Sequence, residues 1–351
     1  MQRPGYYTSG KIAIKMRFCV FGAGAIGGHL AARLAVAGHD VCAVSRGDNL
    51  QALRSRGVTL RNGGEAGGSG GGTISGRVRV SDRAAELGAQ DAIFVTTKAT
   101  ALSAFADSAA VLSGPDTSYI FVQNGIPWWY AMGIGASRPK PPYLSRLDPG
   151  GALARHVAPE RVIGAVVYSS NDVVEPGIVE NHTAGRNMLV LGETDDRHSA
   201  RVDALRKVLD EAGMPSPPTR DIRQSVWDKL LLNFGSTLCV PLGEPIGTLL
   251  NDPALRAVRE RLMAEGRAIA NANGISLTEV PKRPGGGQQT AGATAHKPSM
   301  LQDYERGRPM EVEAILVAPR AFARAAKLET PALDTVAALT ARLAAAKGLY
   351  A

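Results

Sequence analysis

Cysteine is scarce in this chain of 351 residues, and its three copies lie far apart in the sequence. Cys19 and Cys42 fall within predicted strands and Cys239 follows a helical stretch, so we expect buried thiols. No pair of cysteines and histidines has the spacing of zinc ligands or of a redox motif. The sequence therefore predicts neither a metal site nor a disulfide framework.

Long apolar runs and blocks of like charge are also missing. No apolar stretch has the ~20 residues of a membrane-spanning helix, and residues 1–15 lack the apolar centre of a signal peptide. We therefore expect a cytoplasmic protein with no membrane partner. The net charge of +8 comes from scattered lysines and arginines. Scattered charge argues against a nucleic-acid partner and suits a small anionic ligand.

A glycine-rich turn between a strand and a helix is the most informative stretch. Strands are predicted at Phe18–Phe21 and Val41–Val44, and after the first come Gly22, Ala23, Gly24, Ala25, Ile26 and Gly27. In this G-x-G-x-x-G spacing the first glycine permits a tight turn, the second lets the backbone approach a pyrophosphate, and the third allows close packing. The helix N-terminus attracts phosphate. The stretch predicts dinucleotide binding; the alternative is a tight turn without a ligand.

The residues at the end of the second strand favour NADP(H). An acidic side chain there would bind the ribose of NAD, but this chain has Ser45 and Arg46, and Asp48 comes too late. A guanidinium matches the charge and the geometry of a 2′-phosphate. The alternative is that Arg46 is a solvated loop charge.

The order of the predicted elements indicates an α/β domain followed by an all-α domain. Strands alternate with helices up to residue 219. Beyond it only helices are predicted, among them Arg223–Leu232 and Val312–Lys327. We expect a dinucleotide-binding domain at 16–219 and a helical substrate domain at 220–351. Residues 1–15 are expected to be an extension, either disordered or the product of a start codon assigned too far upstream.

Two loops and one group of strands carry further expectations. Val58–Arg61 and Val78–Val80 are predicted to flank a flexible hairpin tip formed by the glycine-rich tract Gly63–Gly76. The polar loop Pro281–Pro298 has the length of a lid or of a disordered segment. An antiparallel block that completes the sheet is expected from three short strands, at Val162–Tyr168, Ile178–Asn181 and Asn187–Leu191.

Polar residues follow two of the buried strands. Lys98 comes after the strand at Asp91–Thr96, and Asn124 comes after the strand at Ser118–Val122. Ligands of doubly wound sheets bind outside the carboxyl ends of the strands, so both residues are candidates for a site, although each taken singly is better explained as a solvated loop residue. The aromatic residues Trp128–Tyr130 are more typical of packing than of a ligand site.

Further candidates lie in the helical half. Lys229 and Asn233 are four residues apart and share a helix face. A lysine partly buried beside a cofactor can give up a proton near neutral pH, although a helical lysine is usually solvated. Ser299 and Gln302 match a capping box with Ser299 as the N-cap, and such a helix end also suits a carboxylate. Glu311 falls near the start of the next helix, where an acid often only complements the helix dipole.

Five motifs, in order from residue 16 to the C-terminus, resemble the ketopantoate reductase (2-dehydropantoate 2-reductase) family. They are GAGAIGG at Gly22–Gly28, TTKA around Lys98, QNG around Asn124, WDKLLLN at Trp227–Asn233 and SMLQD…GRPMEVE at Ser299–Glu313. The resemblance implies a Rossmann-like domain, a helical domain like that of 6-phosphogluconate dehydrogenase, and an active site in the cleft between them. It also implies reduction of 2-ketopantoate to pantoate with NADPH, in pantothenate and coenzyme A synthesis.

The same resemblance implies roles for individual residues. Lys229 matches the general acid that protonates the new alkoxide, and Glu311 matches the acidic residue that completes the site. Lys98 matches a lysine near the cofactor, and Asn124 matches a residue that orients cofactor and substrate. Substrate ligands are matched by Asn233 and Ser299. The partner is then a small-molecule 2-oxo acid, and a homodimer is the assembly to test.

One position departs from the family. Relatives often have a second asparagine one turn after the residue matched by Asn233, and this chain has Thr237 there, with a shorter hydroxyl side chain. Thr237 is kept as a substrate-binding candidate, and it leaves open whether the substrate is ketopantoate or another bulky 2-oxo acid. The alternative of another class is a non-catalytic NADP-binding sensor. Lys229 argues against it, because a sensor has little need of a general acid.

Overall fold

The computed structural model describes residues 15–63, 72–277 and 295–351. The extension expected at residues 1–15 falls almost entirely outside these ranges. So do the centre of the glycine-rich tract and most of the polar loop at Pro281–Pro298.

The N-terminal half alternates strands and helices, as the sequence predicts. In the described ranges its strands are β1 (Arg17–Phe21), β2 (Asp40–Val44), β3 (Val58–Asn62), β4 (Gly72–Gly76), β5 (Arg79–Ser81), β6 (Gln90–Val95), β7 (Ser113–Val122), β8 (Val162–Tyr168), β9 (Asn171–Glu175), β10 (Ile178–Asn181) and β11 (Met188–Glu193). Its helices there are α1 (Ala25–Val36), α2 (Gly47–Arg56), α3 (Ser103–Ala109), α4 (Ala152–His156) and α5 (Ala200–Glu211).

Seven of these strands form one sheet, in the order β11-β8-β7-β6-β1-β2-β5. All neighbours in it are parallel except β11, which pairs antiparallel with β8 at one edge. The order reverses between β1 and β6, and such a switch point is where doubly wound sheets bind their ligands. The predicted Rossmann-like fold is confirmed.

A second sheet, in the order β4-β3-β10-β9, corrects two expectations. The antiparallel partner of β3 is β4, so the hairpin closes within the glycine-rich tract, whereas Val78–Val80 leads into β5 at the edge of the main sheet. The three strands expected as one antiparallel block are divided between the sheets. β8 is buried on both faces and pairs parallel with β7, as is typical of central strands, and β10 pairs parallel with β3 in the second sheet.

The C-terminal half is helical wherever it is described with regular structure. Its helices are α6 (Ile222–Thr237), α7 (Cys239–Leu242), α8 (Ile246–Asn251), α9 (Pro253–Ala272), α10 (Ser299–Glu305), α11 (Ala318–Ala325) and α12 (Pro331–Ala346). The helix predicted at Arg223–Leu232 extends to the end of α6. The helix predicted at Val312–Lys327 is interrupted by a π-helical turn at Glu313–Val317, which precedes α11.

Glycines in the sheet let the first turn of α6 lie against it. Gly164 in β8 and Gly192 in β11 are register partners. A Cβ at Gly164 would approach the Trp129 ring to 2.5 Å, and a Cβ at Gly192 would approach Ile222 to 2.9 Å. Larger residues would push α6 away from the sheet, because a packed interior does not absorb extra atoms without strain. The two glycines thus fix where the helical half begins to pack.

The aromatic cluster and the cysteines are part of the core, as expected. Trp129 and Tyr130 are almost fully buried, and the Trp227 indole donates a hydrogen bond of 2.8 Å to the Tyr130 hydroxyl. Burial raises the pKa of Tyr130 to about 12. All three cysteines are buried free thiols. Within the described ranges, no helix combines the length and the apolar character needed to cross a membrane.

Candidate active site

The glycine-rich turn has the geometry that a dinucleotide requires. Gly22 has φ +101°, and a Cβ there would lie 2.7 Å from the Thr97 side chain. A Cβ at Gly27 would lie 2.2 Å from the Gly22 carbonyl oxygen, so helix α1 packs against the turn as the motif predicts. Gly24, in contrast, faces open space within 4 Å. The bare backbone at Gly24 therefore leaves room for a pyrophosphate beside the N-terminus of α1.

Asn49 connects this turn to neighbouring segments by hydrogen bonds. No sequence motif marks this residue. Its side-chain nitrogen donates to the Ala23 carbonyl oxygen at 2.8 Å and to the Ser45 hydroxyl at 2.9 Å. Its side-chain oxygen accepts from the Gly177 backbone N–H at 2.7 Å. One amide side chain thus joins the glycine-rich turn, the end of β2 and the second sheet.

Arg46 lies where the sequence places it, directly after β2. It is exposed and is the N-cap residue of α2. The preceding Ser45 is buried, and its backbone N–H bonds the Ser81 carbonyl at 3.1 Å. Arg46 therefore lies at the carboxyl edge of the sheet, where a charged side chain is free to serve a 2′-phosphate.

Lys98 lies at the carboxyl end of β6 and contacts the helical half. Its ammonium nitrogen is 2.6 Å from Asp303 Oδ1 and donates to the Pro309 carbonyl oxygen at 3.1 Å. The lysine is half-buried and the aspartate is nearly buried. These two contacts therefore join the sheet edge to α10, through Asp303, and to the segment that follows α10, through Pro309.

Asn124 makes a second contact with the helical half. Its side-chain nitrogen donates to Glu311 Oε2 at 3.1 Å, although the two residues are 187 positions apart in the sequence. The backbone N–H of Ile126 bonds the Ala314 carbonyl at 2.8 Å. Gly125 between them has φ +77°, and a Cβ there would lie 2.4 Å from the same carbonyl oxygen. Only glycine allows this close approach.

The π-helical turn explains why the Ala314 carbonyl is available. The N–H of Ala318 bonds the Glu313 carbonyl, one residue further back than in an α-helix. The next residue, Pro319, has no N–H to donate. The Ala314 carbonyl therefore lacks its usual partner in the helix, and Ile126 supplies the donor from the other half of the chain.

Glu311 is buried, with 8% of its surface exposed. Burial raises the pKa of its carboxyl group, because a charged carboxylate loses hydration. The hydrogen bond from Asn124 and the charge of Lys98 oppose that rise, and the charge of Asp303 adds to it. Glu311 thus sits among one cation, one anion and two hydrogen-bond donors, the Asn124 amide and the Ala99 backbone N–H, at the junction of the two halves.

Helix α6 presents Lys229 and Asn233 along its more exposed side. Asp221 caps the helix by accepting a bond from the Gln224 N–H at 3.0 Å. Most of α6 is buried on all other sides, which explains its apolar composition. The Lys229 ammonium lies 5.0 Å from the centre of the Tyr168 ring at the end of β8, within the range of a cation–π contact.

Asn233 has a buried donor that suits a ligand. No described group accepts a hydrogen bond from its side-chain nitrogen, and that atom is shielded from solvent. An unsatisfied buried donor is costly in a folded protein and calls for an explanation. A bound oxygen-rich ligand would supply the missing acceptor.

Two predicted site residues differ from expectation in their local bonds. Ser299 is not an N-cap: Pro298 has that position, because its carbonyl accepts the first helical bond from the Gln302 N–H. The Gln302 side chain therefore bonds the Lys297 carbonyl at 2.9 Å instead of closing a capping box. Thr237 is buried, and its hydroxyl donates to the Phe234 carbonyl at 3.0 Å, a bond that it would have to leave to reach a ligand.

The structure thus brings three of the predicted residues together at the edge of the sheet. Lys98, Asn124 and Glu311 are joined by direct contacts or by shared partners, and Ser299 lies one helical turn before Asp303, which binds Lys98. The described residues include no group of three or more His, Cys, Asp or Glu side chains that could hold a metal ion. The arrangement suits acid-assisted chemistry on a small anionic molecule next to a dinucleotide.

Three contributors were missed by the sequence analysis. Asp303 belongs to the SMLQD motif, so the sequence locates the residue but does not predict its contact with Lys98. Asn49 follows Arg46 by three residues on a helix, and Tyr168 ends a strand. Only the tertiary contacts reveal these roles, because each side chain binds residues more than fifteen positions away.

Comparisons with known proteins agree along the whole described fold. The family model described as "Ketopantoate reductase PanE/ApbA" matches residues 18–196, and the one described as "Ketopantoate reductase PanE/ApbA C terminal" matches residues 221–344. The chain is 38% identical over 337 residues to a 2-dehydropantoate 2-reductase of Mesorhizobium japonicum, covering 95% of this chain and 100% of the relative.

Solved structures give the same result. A putative ketopantoate reductase from Ralstonia solanacearum has a TM-score of 0.80 at 32% identity, with 96% of this chain and 100% of that chain covered. A D-mandelate dehydrogenase in complex with NADH and anilino(oxo)acetate has a TM-score of 0.77 at 20% identity, with 95% and 100% covered. The second likeness establishes the fold alone.

We expect Glu311→Gln to stabilise the protein increasingly as pH rises. A raised pKa in the folded state means that the folded protein holds this proton more tightly than the unfolded chain, so stability is lost as pH rises above the usual glutamate value of about 4.3. Glutamine keeps an acceptor for Asn124 and carries no charge.

The measurement is the melting temperature of both proteins at about pH 4 and about pH 8. The variant's advantage should be larger at the higher pH, by a few degrees. Glu329→Gln, at an exposed position, is the control and should show no such trend. An equal effect of Glu311→Gln at both pH values would contradict the assignment.

Proposed function

The chain belongs to the ketopantoate reductase family, and from this we infer that it reduces 2-dehydropantoate (ketopantoate) to (R)-pantoate with NADPH. This reaction is a step in the synthesis of pantothenate and coenzyme A. The protein is an NADP-dependent oxidoreductase that acts on a small 2-oxo acid. A cytoplasmic location and assembly as a homodimer are further proposals that rest on the sequence and the family.

One observation carries the proposal beyond family membership. Residues from both halves of the chain meet at one junction: Lys98 with Asp303, and Asn124 with Glu311. The partners come from motifs about 200 positions apart, and neither half alone has a complete set. A protein that only binds a dinucleotide would need the first half and not this junction.

The residues present fit NADPH. The open backbone at Gly24 and the N-terminus of α1 would hold the pyrophosphate. Arg46 would bind the 2′-phosphate, and Lys98 and Asn124 lie at the edge where the nicotinamide end would extend. Gly22, Ala23, Ala25, Ile26 and Gly27 complete the proposed cofactor-binding turn. The cofactor supplies the hydride, and this chain's own residues supply orientation and the proton.

We propose Lys229 as the general acid. Negative charge builds on the substrate oxygen as its carbon is reduced, and a positioned N–H donor stabilises that charge and then gives up its proton. Tyr168 packs beside the Lys229 ammonium and limits where it can point. Asn233, whose side-chain nitrogen has no acceptor among the described groups, is suited to bind the carboxylate or hydroxyl of the substrate.

The other proposed site residues would complete the substrate site. Ser299 would offer an exposed hydroxyl to the substrate, and Glu311 would bind a polar group of the substrate. Thr237 stays a substrate-binding candidate, and its present hydrogen bond to Phe234 makes it the weakest of the set. These assignments are supported by position and bonding capacity.

A second substrate class is kept because of Thr237. Relatives often have an amide donor at this place. This chain has a hydroxyl instead, and that hydroxyl is bonded within its own helix. A site with one polar contact fewer discriminates less well among 2-oxo acids. Another bulky 2-oxo acid is therefore the second candidate, and a non-catalytic NADP sensor is the third.

A panel of 2-oxo acids tests the proposed function. Oxidation of NADPH is followed with ketopantoate and with branched, aromatic and short 2-oxo acids. We expect the highest kcat/KM with ketopantoate. A higher value with another bulky 2-oxo acid would select the second candidate, and tight NADPH binding without turnover of any acid would select the sensor.

Lys229→Ala should lower kcat by about 10²–10⁴-fold, which is the usual loss when a positioned acid is removed. The Kd of NADPH should change by less than about twofold, because Lys229 lies on the helical side of the cleft. The readout is steady-state kinetics with ketopantoate, together with NADPH titration by fluorescence. Lys207→Ala, at an exposed position on α5, is the matched control. Retention of full activity in Lys229→Ala would rule out its role as the acid.

Arg46→Ala should weaken NADPH binding by about 10–100-fold, as expected for the loss of a hydrogen-bonded charge on a phosphate. NADH lacks the 2′-phosphate, so its Kd should stay within about twofold. Arg54→Ala, on the same helix and also exposed, should leave both constants unchanged. Equal weakening of NADPH and NADH by Arg46→Ala would show that Arg46 does not bind the 2′-phosphate.

A further inference from the structure

We propose that Asp303 is a positioning residue that holds Lys98 in its working orientation in the cleft. The contact in question is the 2.6 Å pair between Asp303 Oδ1 and the Lys98 ammonium nitrogen. Nothing in the proposed reaction requires Asp303 to touch substrate or cofactor. The inference rests on the proposed function for its kinetic readout.

Asp303 is placed to act on Lys98 rather than on solvent. Its carboxylate is nearly buried, with 7% of the residue exposed. Apart from Lys98, the described cation within range is Arg308, whose Nε lies 3.6 Å from the same oxygen. A buried carboxylate needs compensating charge and hydrogen bonds, and Lys98 is the closer of the two cations. The carboxylate therefore holds the lysine firmly.

Two anchors define the direction of the ammonium group. An ammonium has three N–H donors, and here the group donates to the Pro309 carbonyl at 3.1 Å and forms an ion pair with Asp303 at 2.6 Å. These two contacts restrict the directions in which the ammonium can point. Lysine alone is a flexible chain that would sample many rotamers. The Asp303 and Pro309 contacts remove that freedom before a ligand arrives, which is preorganisation of the site.

Asp303 also separates the charge of Lys98 from that of Glu311. Lys98 favours the charged form of Glu311, and Asp303 disfavours it. With Asp303 as its ion-pair partner, Lys98 is not drawn onto Glu311, which keeps its hydrogen bond from Asn124. Without Asp303, Lys98 would be left with Glu311 as a carboxyl group on which its charge already acts. Two residues of the site would then neutralise each other.

A simpler explanation is that the pair only fastens the two halves together. A second ion pair on the same segment allows the two explanations to be separated. Arg306, the C-cap of α10, lies 3.2 Å from Asp172 in β9, and the arginine is more exposed than Lys98. This pair also joins the two halves and has no contact with Lys98 or Glu311 among the described residues. Asp172 is therefore the matched control.

A double-mutant cycle tests the proposal. Asp303→Asn, Lys98→Met and the double variant are compared by kcat/KM with ketopantoate and NADPH, and by melting temperature. If Asp303 acts through Lys98, each single change should lower kcat/KM by about tenfold or more. The double variant should then lie within about twofold of Lys98→Met, because residues that act as a unit are not additive. Asp172→Asn should stay within about twofold of the wild type.

Three results would overturn the proposal. These are a double variant whose loss is the product of the two single losses, an unchanged kcat/KM in Asp303→Asn, and a loss in Asp172→Asn equal to that in Asp303→Asn. If Asp303→Asn does not fold, Asp303→Glu retains the charge, displaces it by one methylene, and is judged in the same cycle by the same criteria.

The test also separates this proposal from the proposed function. Absence of ketopantoate turnover in the wild-type protein would reject the proposed substrate. The same cycle would then be measured on the Kd of NADPH, with the same criteria for additivity. Additive losses would reject the role of Asp303 whether or not ketopantoate is the substrate.

Discussion

The whole site depends on hydrogen bonds that cross between the two halves of the chain. The Asn124 amide binds Glu311, and the Ile126 N–H binds the Ala314 carbonyl, with Gly125 between them as the residue that allows the approach. Backbone bonds of this kind fix distance more tightly than side-chain contacts do. The sheet edge and the helical segment are thereby held in register, so that groups distant in sequence act in one cleft.

This junction places a carboxyl group in an environment that does not favour its charge. Glu311 is buried, and its hydration is replaced by hydrogen bonds from the Asn124 amide and the Ala99 backbone N–H and by the charge of Lys98. Such groups cost stability and are kept where chemistry needs them. The neighbouring Lys98–Asp303 pair shows the opposite solution, in which a nearly buried anion is compensated by a cation at 2.6 Å. The site thus combines an ion pair whose charges compensate each other with an acid whose charge is less well compensated.

The sequence predicts much of the fold because local patterns determine it. The glycine spacing and the apolar runs locate β1, α1 and β2, and the alternation of elements predicts the α/β class of the first half. The predicted hairpin partner of β3 is wrong, because a glycine-rich strand has no pattern of side chains by which its pairing could be predicted. The helix at Val312–Lys327 is predicted to be continuous, although Pro319 interrupts its hydrogen bonds. The motifs identify candidate site residues. The partners of those residues, such as Asp303 for Lys98, cannot be predicted in the same way, because they depend on contacts between distant segments.

The π-helical turn has a consequence for how this family can vary in sequence. The turn contains one residue more than the same length of α-helix would. That extra residue sets the direction in which the side chains of α11 point. Deleting it would restore regular helical bonding and rotate α11 by about 100° relative to Glu311. The residue count between Glu311 and α11 therefore has to be kept when this chain is engineered. A chimera that joins this sheet to another relative's helices must match that count, whatever the identity of the side chains.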